Sequence, residues 1–424
     1  GSASSSSAAN AAESASANKP APIKSRLLRM PADIITSISQ FLEFPSIAAL
    51  ARSSSALNSL TSLKLKGQPS PALHRRLILD DPSSKHAFTA LSTTQQAKLF
   101  ERMQHLQRFS AQLHGLGAWN PQWVDHLVKA AGASLTCFGV YLQPSTNTSL
   151  PAASFTALLS SCPRLHWFTF TGFVSGGPTN LLPDWKSNSG ALREFNAAYA
   201  MLSTRDARLL LHAHPHLECV YTGVQSLNDD TIPVGGCPAL SSLTLDLPDG
   251  EFKLDWLSRL PALVDLDLFG GAEITPCSKP LRLDALQLLV LYSVTVDLSQ
   301  LKLPLLHSLA VNMCEQSLRE VAQIAPRLVE FRAMLTSQLV LELAEQSKRP
   351  ALGKLERLSF TVLESLETVF APLLVPLVAA RPRLTVHLNE RSVRKCLTSL
   401  TEHGTREEVS EFISKRFFSD LLNC

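Results

Sequence analysis

The most constraining feature of the chain is a short phrase that recurs twelve times between Leu106 and Leu384. Each copy reads Leu, two residues, an apolar residue, one residue and a further apolar residue, usually with a Pro two positions ahead of the leucine. The clearest copies begin at Leu240, Leu263 and Leu306. One such phrase is common in any leucine-rich chain, whereas twelve in register indicate a structural repeat.

The separation between successive leading leucines, 20 to 30 residues, is typical of leucine-rich repeats. In such a repeat each unit contributes one short strand and a segment that returns to the next strand. We therefore expect an α/β protein, a leucine-rich-repeat solenoid in which a curved parallel sheet is joined by helical or irregular return segments. The leading leucines are Leu106, Leu135, Leu165, Leu192, Leu217, Leu240, Leu263, Leu286, Leu306, Leu328, Leu355 and Leu384.

The return segments differ in predicted type. Apolar periodicity predicts helices near residues 120–128, 203–211 and 317–324, and Ser203 to Asp206 has the spacing of a helix cap. The shorter repeats between Leu240 and Leu328 predict extended or irregular returns. Two segments rich in Gly, Pro, Ser and Asn, 172–190 and 270–280, predict loops on one rim.

Composition places the chain among folded soluble proteins, with 45% hydrophobic and 18% charged residues. A net charge of +3 gives no indication of a nucleic-acid partner, and no apolar run approaches the length of a membrane span. The Ser/Ala-rich start lacks the apolar core of a secretory signal, and the eight cysteines form no C-x-x-C pair. We therefore expect reduced thiols and a location in the cytoplasm, the nucleus or both.

Before the repeats, the sequence from Met30 to Asn58 predicts two short amphipathic helices separated by Phe-Pro-Ser. It begins Met-Pro-Ala-Asp-Ile-Ile, continues with Ile38 and the pair Phe41-Leu42, and its second helix ends in Ser-x-x-Leu. This segment resembles an F-box, whose usual start is Leu-Pro-x-Glu-Ile-Leu. The match covers about 35 of the 424 residues.

The order of tail, F-box, connector and repeats is similar to that of F-box proteins with leucine-rich repeats. The resemblance implies a small all-α module that binds the Skp adaptor of a cullin-RING ubiquitin ligase, and through that adaptor a cullin. We divide the chain into a disordered tail (1–22), the F-box-like module (23–65), a connector (66–104), the repeat array (105–400) and a C-terminal capping helix (401–424). The positions implied in adaptor contact or in the module's own core are Met30, Pro31, Ile34, Ile35, Ile38, Leu42, Ile47 and Leu50.

The implied function is substrate recognition, with the target held by the repeats and ubiquitin transferred by other subunits of the ligase. An alternative is an interaction scaffold unrelated to ubiquitination, in which the N-terminal helices only cap the array. A second alternative is an enzyme whose site lies in the loops 172–190 or 270–280.

Alternation along a strand assigns faces within each repeat. If the first, fourth and sixth positions of the phrase face the core, the third, fifth and seventh line the concave side of the sheet. Aromatic and arginine side chains there are typical of binding surfaces. We predict a partner-binding face that contains Tyr141, Trp167, Tyr221, Asp246, Asp265, Asp267, Phe269, Tyr292, Arg332 and Arg357.

Three of these side chains, Asp246, Asp265 and Asp267, are acids on neighbouring strands. Like charges this close are unfavourable without a counter-charge, so we expect them to bind a basic segment of a target protein. The alternative is that they are ordinary solvated strand positions.

Motifs for chemistry are weak by comparison. The cluster His212, His214, His216 and Cys219 contains metal-ligating residue types, but the strand entry at Leu217 separates them, and we expect no metal there. The sequence contains no phosphate-binding, dinucleotide-binding or metalloprotease motif. We expect a binding subunit without catalytic residues or a cofactor.

Overall fold

The computed structural model describes residues 64–65, 68–69, 75–80, 82–89, 91–113, 119–142, 149–176, 180–185, 190–227, 231–233, 236–275, 279–311, 318–335, 342, 354–362 and 384–388. The predicted tail, the eight predicted adaptor-binding positions and the predicted capping helix lie outside these ranges.

Within the described residues the dominant element is a parallel sheet of 14 strands. Ahead of it, β1 (Lys64–Leu65) and β2 (Gln68–Pro69) form a short antiparallel pair. The remaining strands are β3 (Arg76–Leu79), β4 (Arg108–Leu113), β5 (Cys137–Leu142), β6 (Ser149–Pro151), β7 (Trp167–Phe170), β8 (Phe173–Ser175), β9 (Glu194–Leu202), β10 (Cys219–Val224), β11 (Ser242–Phe252), β12 (Asp265–Ile274), β13 (Leu281–Arg282), β14 (Leu288–Tyr292), β15 (Thr295–Val296), β16 (Leu301–Lys302), β17 (Ser308–Val311), β18 (Glu330–Leu335), β19 (Arg357–Val362) and β20 (Thr385–Leu388).

In the large sheet the strands follow one another in chain order from β3 to β20, and β15 joins at the side of β12. Two further parallel pairs, β6 with β8 and β13 with β16, lie outside this sheet. The predicted α/β class and the large parallel sheet are confirmed, and the neighbour-to-neighbour order is compatible with a solenoid.

The described return segments are of both predicted kinds. Short 3-10 helices at Asp255–Arg259 and Leu298–Gln300 serve the shorter repeats, as expected there. The α-helices are α1 (Pro82–Thr89), α2 (Thr93–Arg102), α3 (Gln122–Ala131), α4 (Ala152–Ser161), α5 (Thr204–Ala213) and α6 (Leu318–Ile324). The predicted cap of α5 is confirmed, since the Ser203 hydroxyl accepts from the backbone N–H of Asp206.

The recurrent Pro of the sequence has a local cause in the turn before each strand. Leu165 donates its N–H to the carbonyl of Cys162, and Leu240 donates to Cys237 in the same way. The Pro thus occupies the second of four turn residues, where its restricted φ is favourable and its missing N–H is not needed. The leading leucine is the last residue of this turn, and its side chain is buried in the core.

A second backbone contact joins successive repeats. The carbonyl of the residue after the leading leucine accepts two N–H groups from the next repeat, as Gln107 does from Thr136 and Cys137. The same pair of bonds recurs at the carbonyl of Val264 and at that of Val329. The Thr136 hydroxyl also donates to the Gln107 carbonyl, but the pair of N–H bonds recurs without a hydroxyl at Val264 and Val329, so the junction tolerates different side chains at these positions.

All twelve leading leucines are buried, none more than 6% exposed. In the N-terminal half the fourth position of the phrase is Phe, and these rings stack from repeat to repeat. The centroid distances are 5.7 Å from Phe109 to Phe138, 5.6 Å from there to Phe168 and 5.3 Å onward to Phe195. From Val220 onward this position is aliphatic except at the buried Phe331, and one continuous core underlies the sheet.

The sheet extends beyond the predicted array at its N-terminal end. β3 lies inside the segment predicted as a connector and pairs in parallel with β4. The repeat phrase does not predict β3, because residue 74, which corresponds to a leading leucine, is His. At the other end Thr385 pairs with Arg357, so Leu384 lies one residue closer to its strand than the other leading leucines do.

Two predicted loops are partly strand. β8 lies inside the segment 172–190, and β12 continues through Gly270 as far as Ile274, inside 270–280. Gly270 has a φ of 112°, and a Cβ there would lie 1.9 Å from the carbonyl oxygen of Leu247. Glycine therefore allows β12 to pass close to β11 at the point where their register shifts.

Candidate peptide-binding face

The strand positions predicted to be concave form three rows, here called the open face; the first two rows are in register along the sheet, and the last is interrupted where the register shifts between β9 and β10. On β11, Leu243 and Leu245 are buried while Ser242, Thr244 and Asp246 are partly exposed, as alternation predicts. The first row contains the third phrase positions, the middle row the fifth and the last row the seventh. The middle row reads Ile78, Ser110, Gly139, Thr169, Asn196, Tyr221, Thr244, Asp267, Val290, Ala310, Arg332, Ser359 and His387.

Asp246, Asp265 and Asp267 form an acidic cluster at the centre of this face, on β11 and β12. Burial raises the pKa of all three carboxyl groups above the ordinary value. At Asp267 the charge of Asp265 raises the pKa further, and the hydrogen bond from Thr244 opposes the rise. Within the described part of the chain no cation pairs with any of the three.

Two acceptor atoms of the middle row are buried without a hydrogen-bond partner among the described residues: Oδ1 of Asn196 and Oδ1 of Asp267. Between them, burial raises the pKa of the Tyr221 hydroxyl, with smaller contributions from Tyr199 and from the acidic cluster. Unpaired buried acceptors are rare and costly, so the described residues leave the hydrogen-bonding capacity of the middle row incompletely satisfied at these two atoms.

Beside the acidic cluster the face becomes apolar. The rings of Phe269 and Tyr292 lie 6.1 Å apart, and Tyr292 is 57% exposed, the highest value for a large apolar side chain in the described residues. Together with the half-buried Leu288, Val290 and Ala310 they form an apolar shelf. Carboxylates and an exposed apolar surface therefore lie side by side on adjacent strands.

The arginines predicted to contact a partner, Arg332 and Arg357, are already paired. Both guanidinium groups contact Glu330, at 2.7 Å and 3.4 Å, and Ser308 also donates to this carboxylate. Glu330 is nearly buried in the first row, so the two arginines balance a charge of the protein itself. They are exposed enough to contact a ligand, but they are not free cations.

At the N-terminal end of the face the side chains line a cleft of about 420 Å³. The exposed rings of Tyr141 and Trp167 stand on its sides, 40% and 47% exposed. Arg76 and Arg108 are directly opposite each other on β3 and β4 at its edge. This group of five residues, which includes Gly139 on the floor, is called the Arg cleft.

The repeat phrase does not assign two residues of this surface to the open face. Arg76 is one of them, because β3 is not predicted from the phrase. Tyr199 was missed because the register between β9 and β10 jumps from Ala197 to Met201, which turns Tyr199 outward, 5.4 Å from the ring of Phe173. A bulge of this kind has no sequence signal beyond the small residues that flank Tyr199.

The His and Cys side chains between residues 212 and 219 do not come together. His214 is buried against the ring of Trp185, 4.5 Å away, and burial lowers its pKa to about 4. His216 is exposed, and Cys219 lies on the open face. The described residues contain no group of three His, Cys, Asp or Glu side chains arranged to hold a metal ion. The four described cysteines are free thiols.

Neither a scan against protein-family models nor a search of curated proteins matches the chain. Among the described helices, none is long and apolar enough to cross a membrane.

Proposed function

We propose that the chain is a leucine-rich-repeat substrate receptor of a cullin-RING ubiquitin ligase, and that the open face binds a basic, partly apolar segment of the target protein. The observation that carries the proposal is the acidic cluster, three partly desolvated carboxyl groups with no cation near them in the described structure. A Lys or Arg of the target would supply that counter-charge, and an apolar neighbour would cover the shelf.

The energetics favour this assignment over a solvated surface. The carboxyl groups have a raised pKa, which means that the folded protein is less stable with the cluster charged than with it neutral. A bound cation removes this cost, and a hydrogen bond to a charged group contributes about 1.5 to 3 kcal/mol. Each lost contact should therefore weaken binding by about 10- to 100-fold.

The assignment to a ubiquitin ligase rests on the resemblance of residues 23–65 to an F-box. In this proposal the N-terminal helices bind the Skp adaptor, the adaptor binds the cullin, and the repeats present the target to the transfer machinery. The chain itself supplies no reacting group. If the helices only cap the repeats, the same open face serves an interaction scaffold.

Co-purification with a Skp adaptor separates the two possibilities. The full chain should retain the adaptor, and substitution of Pro31→Ala with Ile35→Asp should abolish retention. The double variant Asp265→Asn with Asp267→Asn is the matched control, because it changes the repeat sheet outside residues 23–65 and should retain the adaptor fully. A wild-type chain that fails to retain any Skp adaptor leaves only the scaffold.

Binding of the target segment is tested on a peptide array read with the full chain. Peptides in which Lys or Arg adjoins Leu, Ile or Phe should bind, and the Asp265→Asn with Asp267→Asn variant should lose that binding. Glu356→Gln is the control, since this exposed acid lies at a strand entry and outside the open face. Equal binding by the double variant would refute the site.

A further inference from the structure

The Arg cleft has a charge that the proposed function does not use. Arg76 and Arg108 are adjacent in the first row, both exposed, and neither forms an ion pair within the described residues. Like charges directly opposite each other on neighbouring strands are destabilising. The two guanidinium groups are therefore placed at a cost that an anionic ligand would remove.

The surroundings indicate a carboxylate. Exposed aromatic rings beside arginines, here Tyr141 and Trp167, favour a peptide over a bare ion, because they cover its apolar atoms. Gly139 leaves the floor of the cleft open, since a Cβ there would meet its nearest neighbours only at 3.5 Å or more.

Two acids moderate the positive charge of the cleft. Glu194 lies on the far wall, and Asp80 accepts a hydrogen bond from Ser110 beside Arg108. The thiol of Cys137 lies between these charges: burial raises its pKa, Arg108 opposes the rise and Glu194 adds to it. A moderated field of this kind matches a singly charged carboxylate better than a phosphate dianion.

We propose that the Arg cleft binds an acidic residue of the same target segment, so that the open face recognises a basic and an acidic group at a set distance. This inference rests on the proposed function for its basic end. A ligand along the rows crosses six strand spacings between Arg108 and Asp265. At about 4.8 Å per spacing the path is about 29 Å, which an extended peptide covers in about nine residues.

The test uses fluorescently labelled synthetic peptides and the full chain. Each peptide carries Lys-Lys-Leu at one end and Glu-Glu at the other, in both orders, with 3, 8 or 14 Gly/Ser residues between them. A second set has Gln-Gln in place of Glu-Glu, and a third has phosphoserine there. Affinities are measured by fluorescence anisotropy for the wild type, for Arg76→Gln with Arg108→Gln, for Asp265→Asn with Asp267→Asn, and for the control Arg208→Gln on the exposed side of α5.

In the wild type and the control, Glu-Glu should strengthen binding at least tenfold over Gln-Gln with the spacer of 14, less with the spacer of 8, and not at all with the spacer of 3. The second contact becomes intramolecular only when the flexible spacer can reach across about 29 Å, and the spacer of 3 is too short for that. The Arg76→Gln with Arg108→Gln variant should reduce the gain to less than twofold. Equal affinities for Glu-Glu and Gln-Gln, a gain that survives the variant, or a gain with phosphoserine alone would overturn the inference. Failure of the proposed function has a separate signature. In that case the Gln-Gln peptides would bind the wild type and the Asp265→Asn with Asp267→Asn variant with equal affinity.

Discussion

Replacement of Asp267 by Asn should make the protein more stable while it weakens binding of a basic ligand. Asp265 lies two residues away on the same face of β12, about 6.6 Å along the strand, and Asp246 lies diagonally across on β11. Each pair repels by about 0.6 kcal/mol at the dielectric constant of water and by up to about 2.5 kcal/mol at an effective value near 20. Screening at physiological salt leaves a gain of about 0.5 to 1 kcal/mol from the substitution, or a rise in Tm of about 1 to 3 °C.

The pH dependence gives the sharper test, because the pKa of Asp267 is raised in the folded protein. The unfavourable contribution of its charge is fully present above the folded pKa, and it disappears as pH falls below the unfolded value of about 3.9. The advantage of Asp267→Asn should therefore be largest at neutral pH in low salt, shrink in 1 M NaCl and vanish near pH 3.5.

Thermal and urea unfolding of the full chain, followed by circular dichroism, measures these differences. The control Glu356→Gln removes an exposed acid at a strand entry, so its stability should match the wild type within about 0.3 kcal/mol. An Asn variant that is less stable than the wild type at pH 7, or equally advantaged at pH 3.5, would show that the cluster is not under electrostatic strain.

Three further substitutions test the fold itself by urea unfolding. Asp206→Ala should cost about 3 kcal/mol, because this buried carboxylate accepts from the N–H groups of Leu181 and Leu182, which would be left unpaired; a cost below 1 kcal/mol would contradict that role. Phe168→Ala should cost about 3 to 5 kcal/mol, since it removes the centre of the ring stack; a smaller loss would mean that the neighbouring repeats close the cavity. Gly270→Ala should cost more than Gly250→Ala, although both have positive φ, because only at Gly270 would the added Cβ meet a backbone carbonyl; equal costs would assign the effect to φ alone.

The repeated phrase predicted the strands well because burial on the sheet is periodic. The leading leucines and the apolar positions after them enter the core, and the alternate residues between them form the open face. β3 was missed because the prediction depended on the leucine that starts each phrase, and His stands in that place. The pairing of Thr385 with Arg357 follows from the register of neighbouring strands, which one strand's own sequence does not encode.

The charges on the face were predicted in kind but not in pairing. Which acid lacks a partner depends on contacts between strands more than twenty residues apart in the chain. Arg332 and Arg357 converge on Glu330, whereas the acidic cluster has no cation near it in the described structure. Position in the phrase assigned both groups to the same face, and only the side-chain geometry separated a balanced charge from an unbalanced one.

The junction between repeats, one carbonyl that accepts two N–H groups, has an evolutionary consequence. Since the scaffold is held together there by main-chain atoms, mutations among the outward rows can alter which ligand is recognised with little penalty to folding. Duplication or loss of a whole unit would lengthen or shorten the distance between the Arg cleft and the acidic cluster in steps of one strand spacing. The architecture thus lets specificity diversify separately from structural integrity.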